Sequence, residues 1–118
     1  MNIQRALIVA AHPDDEVLGC GGIFSRFQNT IKFKVVFIAE GSSARFPNDS
    51  SKDCIDEIIH RTQCAKRALS YLGVEDVSIH NLPCCNLDKT GHLEVNKIIE
   101  KEISIFQPDT VFTHSDCD

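Results

Sequence analysis

Residues 6–11 (Ala-Leu-Ile-Val-Ala-Ala) form an unbroken apolar run, as a strand buried on both faces requires. Polar residues end it, and over 16–29 Val17, Ile23, Phe24 and Phe27 recur at helical spacing. A β-branched and aromatic run follows over 33–39, with Val35, Val36, Phe37 and Ile38 at its centre. Residues 40–52 are rich in Gly, Ser, Pro, Asn and Asp and read as a loop. Over 53–72, Ile58, Ala65, Ala68, Leu69 and Leu72 share one helical face, and Gly73 is placed to end the helix. Residues 77–82 predict a third strand and 83–91 a loop. A third helix is expected over 93–106, with Val95, Ile98, Ile99, Ile103 and Phe106 on one side and Pro108 just beyond its end. Residues 110–113 begin a fourth strand.

Strands alternating with helices predict an α/β fold, a Rossmann-like three-layer arrangement around a mostly parallel sheet. Residues 1–118 are expected to make one domain, with no repeat or linker, and the sheet is expected to break off after its fourth strand. Right-handed crossovers leave few topologies. With the common strand order 3-2-1-4, the winding reverses between strands 1 and 4. Ligands in such sheets bind at the carboxyl ends of the strands beside that reversal. The residues just after strand 1 are His12-Pro13-Asp14-Asp15-Glu16, and those just after strand 4 are His114-Ser115-Asp116-Cys117-Asp118. The two loops richest in potential ligands are therefore expected to meet.

The net charge of −5 argues against nucleic acid, because neutralising phosphates needs clustered Lys and Arg, and here they are scattered. The apolar run near the N-terminus is too short for a signal-peptide core or a membrane span. A cytoplasmic protein without a membrane segment follows. Its six cysteines are then free thiols, and no Cys-x-x-Cys pair suggests a structural zinc site.

His12 and Asp15, at i and i+3, can close on one metal from a loop that turns into a helix. Imidazole and carboxylate together suit zinc, with iron or manganese as alternatives. Pro13 stiffens that loop. Asp14, Asp15 and Glu16 at a helix start could all simply serve the helix N-terminus. A metal site also needs a base that is not a ligand, and Asp14 fits that role beside the ligand pair. Leu18-Gly19-Cys20-Gly21-Gly22 lacks the lysine of a phosphate-binding loop and the G-x-G-x-x-G spacing of a dinucleotide fold. Its glycines are expected to allow close approach of the helix to sheet or ligand.

Ala11-His12-Pro13-Asp14-Asp15-Glu16 with the following Gly19-Cys20-Gly21-Gly22 resembles the A-H-P-D-D-E and G-x-G-G signature of the LmbE/PIG-L deacetylases, zinc enzymes that act on N-acetylglucosaminyl groups. Pro108 to Asp118 resembles the strand leading into that family's second metal motif. Leu82-Pro83-Cys84-Cys85-Asn86-Leu87-Asp88 resembles a family stretch of the type L-P-D-N-R-[FL]-D, but Cys84, Cys85 and Asn86 replace its charged centre. The resemblance implies that His12 and Asp15 bind zinc and that Asp14 is the general base. Arg61 falls where the family has a substrate-side arginine. His114 and Asp118 are further expected substrate contacts, and His114 is also a conceivable third ligand. The reaction implied is removal of acetate from an N-acetylated sugar or sugar conjugate by zinc-activated water.

The family pattern runs on beyond Asp118 to x-[HN]-x-D-H, whose last His is the third protein ligand. The alternative reading is therefore a non-catalytic fragment or binding module of the same fold. An Asp-His pair following Asp118 in the reading frame would separate the two. An exposed sheet edge further predicts self-association, as a homo-oligomer.

Overall fold

The computed structural model of the chain describes residues 2–83 and 91–116. Its elements are β1 (Arg5–Ala10), α1 (Asp15–Phe27), β2 (Lys32–Ala39), α2 (Lys52–Tyr71), β3 (Asp76–Leu82), α3 (His92–Phe106) and β4 (Thr110–Phe112), with a short 3₁₀ turn at Ser43–Arg45. Every predicted helix and strand is present, with only its end residues shifted. The sheet runs β3-β2-β1-β4, and all three pairings are parallel. This is the common 3-2-1-4 order, and the winding thus reverses between β1 and β4.

Period-two alternation sorts the central strands between two cores. Ala6, Ile8 and Ala10 of β1 and Phe33, Val35 and Phe37 of β2 face Phe24 of α1 and Ala65 and Leu69 of α2. Leu7, Val9, Val36 and Ile38 face Phe106 of α3. Three layers result: α1 and α2, the sheet, then α3. Coverage on both faces explains why β1 and β2 read as continuous apolar runs.

The apolar stripe of α3 is broken by charge. Helical spacing places Glu102 between Ile99 and Phe106 on the sheet-facing side, and it is buried, while Ile103 from the predicted stripe is partly exposed. Glu102 is held there by Lys34, itself buried on β2, at 2.8 Å, and by His80 of β3 at 2.9 Å. Asp76 lies 3.5 Å from the same ammonium. Burial pushes the Glu102 carboxyl up, but hydrogen bonds from Lys34, His80 and Ser78 outweigh it and hold the group below its ordinary value. Burial likewise opposes the charge on Lys34, yet Glu102 and Asp76 raise it above the usual lysine value. His80 is thus part of an interlayer charge cluster.

Other polar contacts lock the amino-terminal end of the sheet. Asp109 Oδ2 accepts the Gln4 and Arg5 amides at 2.9 and 3.0 Å, fixing the start of β4 to β1. These hydrogen bonds, Gln4 first, lower the Asp109 carboxyl below its usual range. The Arg5 guanidinium donates to the carbonyls of Phe106 and Gln107 and lies 4.5 Å over the Phe106 ring, which caps the carboxyl end of α3. Gly73, at φ 79°, ends α2 as expected, with Val74 N–H reaching back to Leu69 O.

The glycine-rich opening of α1 makes no close approach to the sheet. A side chain at Gly19 or Gly22 would meet nothing within 4 Å, so these glycines bring no neighbour close among the described residues. Cys20, Cys54 and Cys64 are free thiols. Among the described residues no helix is long and apolar enough to cross a membrane.

Lys34→Met should lower stability by about 3 kcal/mol in urea unfolding, because it strands a buried carboxylate. Adding Glu102→Leu should restore most of that loss. The depressed Glu102 makes the pair's contribution fully present above the ordinary carboxyl value and lost as pH falls through the folded one. The raised Lys34 makes it present below the ordinary lysine value and lost as pH rises through the folded one. The double variant should therefore show flatter stability at both extremes.

Candidate active site

The loop after β1 is strung between its neighbours by backbone bonds. Ala39 N–H donates to Ala11 O at 2.9 Å, and Ala11 N–H donates to His114 Nε2 at 3.0 Å. The carboxyl ends of β1, β2 and β4 are thereby joined at His12. The loop then turns tightly: Asp15 Oδ2 accepts His12 N–H at 2.9 Å, and Asp15 N–H reaches His12 O at 3.3 Å.

The three consecutive acids do different jobs. Asp15 closes the turn onto His12. Glu16, only 2% exposed, accepts the Asp14 N–H on Oε2 at 2.9 Å. Burial pushes its carboxyl above the ordinary glutamate value, against the pull of the nearby backbone amides. Asp14 occupies the N-cap position of α1, yet it makes no side-chain cap bond. By contrast Ser51, the N-cap of α2, accepts the Cys54 N–H in the usual way. Asp14 has φ 134°, a region costly for a residue with a Cβ. Its exposed carboxylate meets Arg61 Nη2 at 2.9 Å.

Arg61 reaches in from α2 and is mostly buried. Its Nε donates to Pro13 O at 3.0 Å, its Nη1 to Gly41 O, and its Nη2 to Asp14 Oδ2. All three guanidinium nitrogens thus serve the protein's own loops. Gly41, just past β2, has φ 77°, and a Cβ there would lie 3.0 Å from Arg61 Nη1 and 3.1 Å from the His12 Cβ. Gly41 therefore belongs to the site, although composition alone marked it only as loop. Its place at the carboxyl end of a central strand was the available signal.

Asp15 Oδ2 lies 3.7 Å from His12 Nδ1 and 3.5 Å from His114 Nε2. Two donors sharing one tetrahedral ion stand about 3.4 Å apart, so both spacings suit a common metal. The donor chemistry also fits a zinc-class ion. However, His114 Nε2 already accepts the Ala11 amide, and among the described residues no three such side chains gather as a complete metal set. His12 and Asp15 are the fitting pair; His114 is a hydrogen-bonded residue at the strand end beside them.

Two clefts flank the loop. One of about 370 Å³ is lined by Asp15, Glu16, Leu18, Phe112 and His114. The other, about 310 Å³, is lined by Pro13, Asp14, Glu16, Arg61 and Cys64. Both volumes suit small-molecule binding. The structure thus brings together His12, Asp15 and His114, and separately Asp14 and Arg61, with Glu16 bordering both clefts. Asp118, and Cys84, Cys85 and Asn86 of the altered stretch, lie outside the described residues.

The arrangement is that of a known group of folds. The N,N'-diacetylchitobiose deacetylase of Pyrococcus horikoshii, solved with an inhibitor, superposes with a TM-score of 0.78 at 25% identity, over 94% of this chain and 40% of that one. The 4-carboxy-2-hydroxymuconate hydratase of Pseudomonas putida gives 0.73 at 22% identity, over 95% and 47%. A conserved protein of Thermus thermophilus gives 0.68 at 22%, over 96% and 47%. The chain therefore spans less than half the length of these structures. No curated protein matches it. The PIG-L family, described as GlcNAc-PI de-N-acetylase, matches residues 7–118, and the chain belongs to it.

Gly41→Ala should destabilise the fold more than Gly91→Ala. Both glycines have positive φ, but among the described residues only Gly41 of the two has neighbours within 4 Å. Urea unfolding should show about 1 kcal/mol for Gly91→Ala and a larger loss for Gly41→Ala. The excess should shrink in an Arg61→Ala background, where the guanidinium is gone.

Proposed function

We propose that this chain carries the chemistry of a metal-dependent amide hydrolase that removes acetate from an N-acetylated amino sugar or its conjugate, of the N-acetylglucosamine type. Family membership and the likeness to a diacetylchitobiose deacetylase support the substrate class. The observation that carries the reading is the conformation of Asp14. An acid at a helix start would ordinarily cap the helix, but this one is strained, uncapped and turned outward, next to the His12–Asp15 pair.

In this reading His12 and Asp15 hold a divalent ion of the zinc class. When bound, such an ion acidifies water and polarises the acetamide carbonyl. Asp14 accepts the water proton as the oxygen attacks the acyl carbon, and passes it to the departing nitrogen as the C–N bond breaks. Acetate and a free amine result. Asp14 must reach from Arg61 toward the His12 side, and bonds of this kind commonly tighten only in the substrate complex. Arg61 steadies the base and borders its cleft. His114, across the loop, and Asp118 are the remaining proposed substrate contacts.

Metal analysis of the purified chain should find zinc that is lost in both His12→Ala and Asp15→Ala. Asp14→Asn should keep the metal and lose amine release from N-acetylglucosaminyl conjugates by about 10²–10⁴-fold. Zinc without any amine release from the unaltered chain would instead make it a binding module. Absence of zinc would sink the reading for this chain.

A further inference from the structure

We infer that Glu16 is a positioning residue: its buried carboxylate takes over the amide-binding duty at the start of α1 and so releases the Asp14 carboxylate for the site. The inference rests on the proposed role of Asp14 as base. Its foundation is a division of labour visible in the backbone. Asp14 holds the N-cap position, and its carbonyl accepts the first helical amides, from Val17 and Leu18 at 3.2 and 3.0 Å. Its side chain should then accept an amide of the first turn. It does not. Glu16 Oε2 accepts the Asp14 N–H itself at 2.9 Å, while Glu16 Oε1 is buried with no partner among the described residues.

Holding the Asp14 amide also fixes the peptide that leads into it. That bond sustains φ 134°, and the Arg61 contact at 2.9 Å completes the outward aim. Glu16 borders both clefts but is only 2% exposed, and its hydrogen bond is to the Asp14 amide, so it acts through Asp14. A carboxylate of this length is required: Asp at 16 would fall short of the Asp14 N–H, whereas Gln retains an acceptor oxygen at the same reach.

Glu16→Met preserves length and suits a buried position, while Glu16→Gln preserves the acceptor. Amide hydrogen exchange at Asp14, followed by NMR, should be slow in the unaltered chain and in Glu16→Gln and faster in Glu16→Met. This readout does not depend on any enzymatic activity, so it tests the clamp even if the proposed reaction fails. Where amine release is measurable, Glu16→Met should lower kcat by about 100-fold with KM and zinc content unchanged, and Glu16→Gln should recover most of kcat. Equal Asp14 protection in all three proteins would overturn the inference. So would lost protection in Glu16→Met with kcat intact. If Glu16→Met does not fold, Glu16→Gln decides alone: Asp14 exchange as fast as in the free peptide would refute the acceptor role.

Discussion

The Arg61 guanidinium ties together three segments that are far apart in sequence: the loop after β1, the turn after β2, and helix α2. Two of its nitrogens satisfy the loop carbonyls of Pro13 and Gly41, and the third pairs with the Asp14 carboxylate. A planar fork with fixed donor directions can serve three such acceptors at once, which a lysine ammonium on a flexible stem cannot do with the same geometry. The contact requires a glycine at position 41, since a Cβ there would crowd both Arg61 and His12. Arg61 is thus the piece that holds the Asp14 carboxylate against the loops of the site.

The opposite end of the sheet is secured by other charges. Asp109 binds two amides of the β1 start, and Arg5 closes the carboxyl end of α3. Between sheet and α3, the buried Lys34–Glu102 pair with His80 fixes one arrangement of the layer. These devices constrain β1 and β4 from below. The carboxyl ends of the same strands are left to carry the strained Asp14 and the His12–Asp15 turn. Strain is tolerable at that end because the central strands β1 and β2 are firmly packed on both faces.

Fold similarity alone does not choose the chemistry. Chains of this architecture include a deacetylase and a hydratase. What distinguishes possible reactions is the set of groups around the loop after β1. There, three consecutive acids have been given three different partners: an arginine for Asp14, the His12 amide for Asp15, and the Asp14 amide for Glu16.

By itself the sequence determined the layer architecture and marked the two ligand-rich loops; of the strand orders open to it, the structure adopts the common 3-2-1-4. Apolar runs and helical stripes are local patterns, and right-handed crossovers convert their order into topology. The His12-to-Glu16 cluster was visible because strand 1 delivers it to the switch point. Glu102 and Lys34 gave no such signal, since a charged side chain beside an apolar stripe does not show its burial until its partner is known. Only the tertiary structure decided which acid caps, which pairs and which turns outward. Those assignments depend on Arg61 and Gly41, some tens of residues away, and on a positive φ at Asp14 that no composition signals. Long-range hydrogen bonds of this kind select among conformations that the local sequence leaves nearly equal in energy.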